Sequence, residues 1–135
     1  MVAGSLYGER SPVPTLSDTI FADAMLEPGA VLPVDAATEE RALYLVSGEI
    51  VIAGDRFAPG QLLIFRPGDA VAVTAASTAR VVLLGGAAMD GPRHIWWNFV
   101  SSRKDRIEAA KADWKSGRFD TVPGDSTEFI PLPEK

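Results

Sequence analysis

Cysteine is absent from this 135-residue chain, and histidine occurs once, at His94. Without thiols, disulfides, thiolate nucleophiles, zinc–cysteine sites and iron–sulfur clusters are excluded by inventory. No apolar run approaches the ~18 residues that cross a bilayer, so no membrane partner is expected. The start of the chain, Met1 to Pro14, has neither the basic region nor the apolar stretch of a secretory signal. The expected location is the cytoplasm. Clustered positive charge is also scarce in a chain of formal charge −5. Its nearest basic cluster, Arg103, Lys104 and Arg106, is interleaved with Asp105 and Glu108 and reads as a solvated helix face. Nucleic acid, whose binding rests on clustered Lys and Arg that release counterions, is not an expected partner.

What is present is a globular composition, 47% hydrophobic and 23% charged, with room for one domain over residues 1–135. Between residues 20 and 86, short apolar segments alternate with turn signals, the pattern of an all-β sandwich or barrel. Strands are expected at Ile20–Leu26, Ala42–Val46, Glu49–Ala53, Gln61–Phe65, Ala70–Thr74 and Arg80–Leu84. Reversals are expected at Pro28-Gly29, Ser47-Gly48, Gly54-Asp55, Pro59-Gly60, Pro67-Gly68 and Gly85-Gly86, because glycine permits positive φ and proline fixes φ near −65°.

The character changes after Gly91-Pro92. His94 to Val100 reads as an extended aromatic segment, followed by a helix capped by Ser101 or Ser102 with Asp105 in its first turn. Ile107, Ala110 and Trp114 make its apolar stripe, Lys104 and Glu108 are spaced to pair, and Gly117 ends it. The apolar segment Phe129-Ile130-Pro131-Leu132 is expected to dock on the barrel or on a partner. The expected layout is a barrel over about residues 15–100, a helix over about 102–117 and a tail over 118–135.

The spacing of the glycines and prolines resembles the cupin family, a double-stranded β-helix or jelly-roll barrel. The first cupin motif runs Gly, five residues, His, one residue, His, three or four residues, Glu, six residues, Gly. Gly29 and Gly48 match its ends, and the count places Asp35 and Ala37 at the histidines and Arg41 at the glutamate. The second motif, counted from Gly68, puts Ala79 at its histidine. Three imidazoles and a carboxylate suit Fe, Mn, Ni, Cu or Zn, whereas Asp35, Ala37, Arg41 and Ala79 are a degenerate set, so no metal and no catalytic residue is expected. Asp35 and Arg41 either pair at the barrel mouth or both point to solvent from the Pro33–Arg41 loop.

His94 stands outside the counted ligand positions and reads as a packing residue or a partner contact. Gly85-Gly86 lacks the Lys and Ser/Thr of a phosphate loop, and there is no serine nucleophile elbow. In the run His94-Ile95-Trp96-Trp97-Asn98-Phe99, alternate residues of an extended segment face opposite ways, so Trp96 and Trp97 are not expected in one core. His94, Trp96, Trp97, Phe99 and Trp114 are therefore candidates for an interface, with local packing under the tail as the alternative.

The stretches Gly91-Pro92-Arg93-His94-Ile95-Trp96-Trp97-Asn98-Phe99-Val100-Ser101-Ser102, Ala110 to Phe119 and Phe129-Ile130-Pro131-Leu132-Pro133 resemble the C-terminal end of bacterial pirin-like proteins. Arg41 to Glu49 and Phe57-Ala58-Pro59-Gly60 resemble the second cupin of the same family. The resemblance implies a bicupin whose first half carries iron. Some members have quercetin 2,3-dioxygenase activity, and eukaryotic members act as nuclear transcriptional cofactors. The second half, which this chain resembles, is metal-free and packs against the first. It implies no cofactor here and a structural or protein-interaction role, the partner being a second copy or a pirin N-terminal-type cupin. The alternatives are one part of a quercetin 2,3-dioxygenase whose metal lies in another cupin, or a binder of a small apolar ligand.

Overall fold

A computed structural model describes residues 1–133. The chain divides into two compact units, Met1–Ala88 and Met89–Lys135.

The first unit is two antiparallel sheets. Its strands are β1 (Ala3–Leu6), β2 (Glu9–Arg10), β3 (Thr19–Leu26), β4 (Val31–Val34), β5 (Glu40–Ser47), β6 (Ile50–Ile52), β7 (Asp55–Phe57), β8 (Leu62–Phe65), β9 (Val71–Ala75) and β10 (Ala79–Gly86). A six-stranded sheet has the order β2-β1-β3-β10-β5-β8, and a four-stranded sheet the order β4-β9-β6-β7. The sheets do not close on each other, so the expected barrel is a two-sheet jelly roll with four open edges. Alternation sets what lies between the sheets: Leu43 and Leu45 of β5, Val81 and Leu83 of β10, Val73 of β9 and Ile50 of β6 all point inward.

All six strands read from the sequence are present, with ends shifted by one or two residues. Four were not expected. β1 and β2 form a hairpin through Tyr7-Gly8, and β6 and β7 one through Ala53-Gly54, with both turn residues at positive φ in each. That geometry matches the twist of a two-residue hairpin. β4 contains Pro33, which reads as a breaker, yet β4 is an edge strand, where a missing N–H costs nothing in the ladder. Gly85-Gly86 is not a reversal but the end of β10. A Cβ on Gly85 would lie 2.4 Å from the Glu40 carbonyl oxygen and one on Gly86 2.3 Å from that of Asp18, so close chain approach, not turning, requires glycine there.

The second unit holds a hairpin, β11 (His94–Trp96) with β12 (Phe99–Ser101), and a helix, α1 (Lys104–Lys115). The helix starts later than expected. Its N-cap is Arg103, with no side-chain cap, and the Ser101 hydroxyl instead accepts the Arg103 N–H at 3.1 Å. Glu108 pairs with Lys111 one turn on. Gly117, at φ +68°, ends the helix as expected. The tail passes the helix: the Trp114 indole donates to the Ile130 carbonyl at 2.8 Å, and Phe129 stacks on Trp114. The last two residues of the expected tail, Glu134 and Lys135, lie outside the described residues.

Candidate functional site

Position 41 belongs to the inward row of β5, with Leu43 and Leu45. An arginine on that row must find partners, because an unpaired buried cation is costly. Arg41 is 3% exposed. Its Nη1 donates to the backbone carbonyls of Asp35 at 2.8 Å and Asp69 at 2.6 Å, and its Nη2 donates to that of Arg66 at 2.6 Å. One guanidinium thus ties the loop after β4 to the Arg66-Pro67-Gly68-Asp69 turn between β8 and β9. Gly68, at φ +84°, follows Pro67 in the pattern of a type II turn, which brings the Arg66 and Asp69 carbonyls within reach of one side chain. Gly85 stands opposite Arg41 in the ladder, where a Cβ would make an ordinary contact with Arg41 Cγ at 3.5 Å and would collide only with the Glu40 carbonyl oxygen. The Nε–H is buried without a hydrogen-bond partner among the described residues.

Both expected settings of Arg41 are corrected by this geometry. It neither pairs with the Asp35 carboxylate nor points to solvent. The Asp35 carboxylate is exposed and accepts the Ala37 N–H at 2.9 Å, a local turn that shapes the loop whose carbonyl Arg41 takes. The structure therefore brings Asp35, Ala37 and Arg41 together, through backbone rather than through ligand side chains. Ala79 is not with them. In the β5–β10 ladder Arg41 faces Gly85 and Ser47 faces Arg80, so Ala79 lies at the other end of the strands, fully buried against Gly48.

The donor set at the Arg41 end does not fit a metal centre. A guanidinium has only N–H donors and no lone pair for a cation, and the carbonyl oxygens around it already accept its protons. Among the described residues no three His, Asp or Glu side chains converge. The buried cation was legible in one respect: continuing the period-two row of Leu43 and Leu45 back by two residues lands on Arg41, but the expected strand began at Ala42.

In the second unit the aromatic candidates gather into one cluster. Trp97 meets Trp114 edge to face at 5.2 Å and Phe99 at 5.8 Å, while Trp96 stacks with Phe99 at 6.2 Å. Phe119 joins through Phe99 at 5.7 Å and Trp114 at 5.3 Å, and the Lys111 ammonium stands 4.8 Å over the Trp96 ring. Trp96 and Trp97 do share a cluster, because Trp97 leaves the strand at φ +51° in the hairpin turn and the alternation of an extended segment stops there. His94 is exposed, opposite Ser101.

Two further features complete the first unit. The Tyr7 hydroxyl donates to the Pro33 carbonyl, and its pKa is raised by burial and then by the nearby Asp35 charge. A cavity of about 240 Å³ lies among Leu6, Tyr7, Ala22, Leu32 and Leu83. It is smaller than the ~300 Å³ at which drug-sized ligand sites begin.

The two facing sheets, their inward alternation and the loops gathered on one end define a single cupin domain. The model of the Pirin C-terminal cupin domain matches residues 21–120. The chain belongs to the pirin family, and what it represents there is the C-terminal cupin domain. It is 45% identical to a pirin-like protein of Caulobacter vibrioides, over 99% of this chain and 46% of the relative. It is 30% identical to a Pseudomonas aeruginosa protein provisionally named a quercetin 2,3-dioxygenase, over 100% of this chain and 45% of the relative. A crystal structure of quercetin 2,3-dioxygenase from Acinetobacter baumannii superposes with a TM-score of 0.82 at 20% identity, covering 98% of this chain and 46% of that one. The chain spans about half the length of the curated relatives it matches.

Proposed function

We propose that this domain is a metal-free, non-catalytic pirin-type cupin that acts as a structural or protein-interaction module. The observation that carries the reading is Arg41, a buried guanidinium with three backbone carbonyls at the place where the cupin motif calls for a metal-binding carboxylate. A cation fixed there opposes a second cation and closes the loops itself. The partner is a second cupin, either another copy of this chain or an N-terminal-type pirin cupin, and the location is cytoplasmic.

A second reading is favoured by the name of the Pseudomonas aeruginosa relative. The domain would then be one half of a quercetin 2,3-dioxygenase whose metal lies in another cupin. A third reading is a small apolar ligand, for which there is space in the cavity of about 240 Å³ beside Leu6 and Leu83 and in one of about 410 Å³ lined by Trp114, Phe119, Phe129 and Ile130.

The test is elemental analysis of the purified chain after mild chelation, together with oxygen uptake on quercetin. The expected result is no stoichiometric Fe, Mn, Ni, Cu or Zn and no uptake above background. About one metal per chain, with uptake that disappears on chelation, would overturn the reading.

A further inference from the structure

The jelly roll has four open edges, and three carry devices that discourage pairing with another chain. β2 is two residues long and both are charged, Glu9 and Arg10. β4 carries Pro33, and β7 carries Asp55 and Arg56. Charge, proline and shortness are the ordinary protections of an edge strand. β8 has no charge and no proline: its four residues are Leu62, Leu63, Ile64 and Phe65.

Among the described residues, no strand pairs with the outer side of β8. Leu45 donates to the Gln61 carbonyl and accepts from the Gly60 N–H, so the odd-numbered residues of β5 turn their polar groups toward β8. In that register Leu43 bonds Leu63 and Arg41 bonds Phe65, and alternation directs the N–H and C=O of Leu62 and Ile64 away from the sheet. The side chains of these same residues are 52% and 79% exposed. The face they begin continues across the sheet through Tyr44, Leu84, Phe21 and Met25, all apolar. Of the charged residues on this face, Arg80 and Asp23 neutralise each other through a bidentate pair at 2.6 and 3.0 Å, and Glu40 and Arg66, one of each sign, stand at its end beside Ile64.

We propose that β8 is the dimerisation edge of this domain and that its occupant is the β8 of a second copy, antiparallel about a two-fold axis at Leu63. Each copy's Leu62 then faces the other's Ile64, and the two six-stranded sheets run on as one. A two-fold makes any edge self-complementary. Charge favours a copy over a charged partner: the chain carries −5, yet the charges on this face are of both signs, Arg80 with Asp23 and Arg66 with Glu40, so two copies meet here without the repulsion their net charge implies. A four-residue edge offers too few hydrogen bonds to offset the cost of association, and Leu62, Ile64 and Tyr44 supply the buried apolar surface that completes it.

The inference deepens the interaction reading above by naming the surface and the partner. Sedimentation velocity of the full chain at high micromolar concentration tests it with three proteins: wild type, Ile64→Lys, and Val31→Lys as a matched charge on the β4 edge. The expected result is a dimer for wild type and Val31→Lys, and a dissociation constant raised roughly tenfold or more for Ile64→Lys. Amide exchange on wild type is the companion readout: the Leu62 and Ile64 amides become protected as concentration rises, while those of β2 do not. This holds even if Ile64→Lys fails to fold. A wild-type chain that stays monomeric overturns the inference. So does a dimer that survives Ile64→Lys and dissolves in Trp97→Ala, which would place the interface on the aromatic cluster and leave the interaction reading standing. Monomeric wild type that binds a His-x-His cupin also overturns the second copy as occupant without touching that reading.

Discussion

The two units bury apolar side chains by different means. In Met1–Ala88 the interior is aliphatic and sealed, with Leu43, Leu45, Ile50, Val73 and Val81 at 0% exposure. Among the described residues of Met89–Lys135, Ile107 alone is a buried hydrophobic, and the packing is ring against ring, with Trp97 38% and Phe129 62% exposed. In a close-packed sheet interior each position is fixed by alternation and volume. Rings that meet edge to face tolerate a wetter setting, since part of their attraction comes from the aromatic quadrupole rather than from area removed from water. Substitutions are therefore more costly in the first unit than in the second.

The largest effect tests this contrast at glycine. A Cβ on Gly48 would stand 2.2 Å from the Thr78 carbonyl oxygen and 2.8 Å from Ala79 Cβ, with φ at +81°. Gly48→Val should cost more than ~4 kcal/mol or abolish cooperative urea unfolding. In the second unit a Cβ on Gly117 meets nothing within 4 Å, and only its φ of +68° opposes substitution, so Gly117→Ala should cost about 1 kcal/mol. Equal losses would erase the distinction between the units.

Large-to-small changes give the next effect. Leu43→Ala leaves a void in a closed interior and should cost about 3 to 5 kcal/mol in the same measurement. Trp114→Ala loses ring contacts with Trp97, Phe119 and Phe129 and should cost about 1 to 2 kcal/mol. Amide exchange should show faster opening of β11 and β12. A larger loss for Trp114→Ala than for Leu43→Ala would reverse the comparison.

The smallest effect is electrostatic. The side-chain hydrogen bond from Arg80 holds the Asp23 carboxyl below its usual range. A lowered folded-state pKa stabilises the fold above the unfolded value, ~3.9, and that contribution is lost as pH falls through the folded value. The pair is exposed, so its contribution is slight. Asp23→Asn should lower stability slightly near neutrality, where the contribution is present, and converge on the wild type in acid, so that the acid-range slope of the stability–pH curve flattens. A difference from the wild type that appears only in acid would contradict this assignment.

These contrasts explain what the sequence disclosed. Period-two alternation in Ala42–Val46 and Arg80–Leu84 is a local signal, and both strands appear where expected. β1, β2 and β7 are short and polar or glycine-bearing, so their pairing with a neighbour, not their own pattern, makes them strands. Gly85 and Gly86 carry the same letters as a turn, and only the approach of Glu40 and Asp18 shows that they are spacers. The aromatic cluster depended on one residue, Trp97, adopting a conformation unusual for a bulky side chain, which reassigns every face after it. Arg41 was singled out by motif spacing, but its partners are backbone carbonyls from Asp35, Arg66 and Asp69, and no residue type announces a carbonyl.

Arg41 also gives the account its most direct test. If the guanidinium, and not a metal, closes this end of the jelly roll, removing it must weaken the fold and removing metal must not. The measurement is thermal unfolding of the wild type and of Arg41→Ala, each with and without EDTA. The wild-type midpoint should be unmoved by EDTA, and Arg41→Ala should lose about 2 to 4 kcal/mol, because three carbonyls lose their donor and the β5 row gains a void. A wild-type midpoint that falls in EDTA, as linkage requires of a bound metal, beside an Arg41→Ala midpoint close to wild type, would contradict the account.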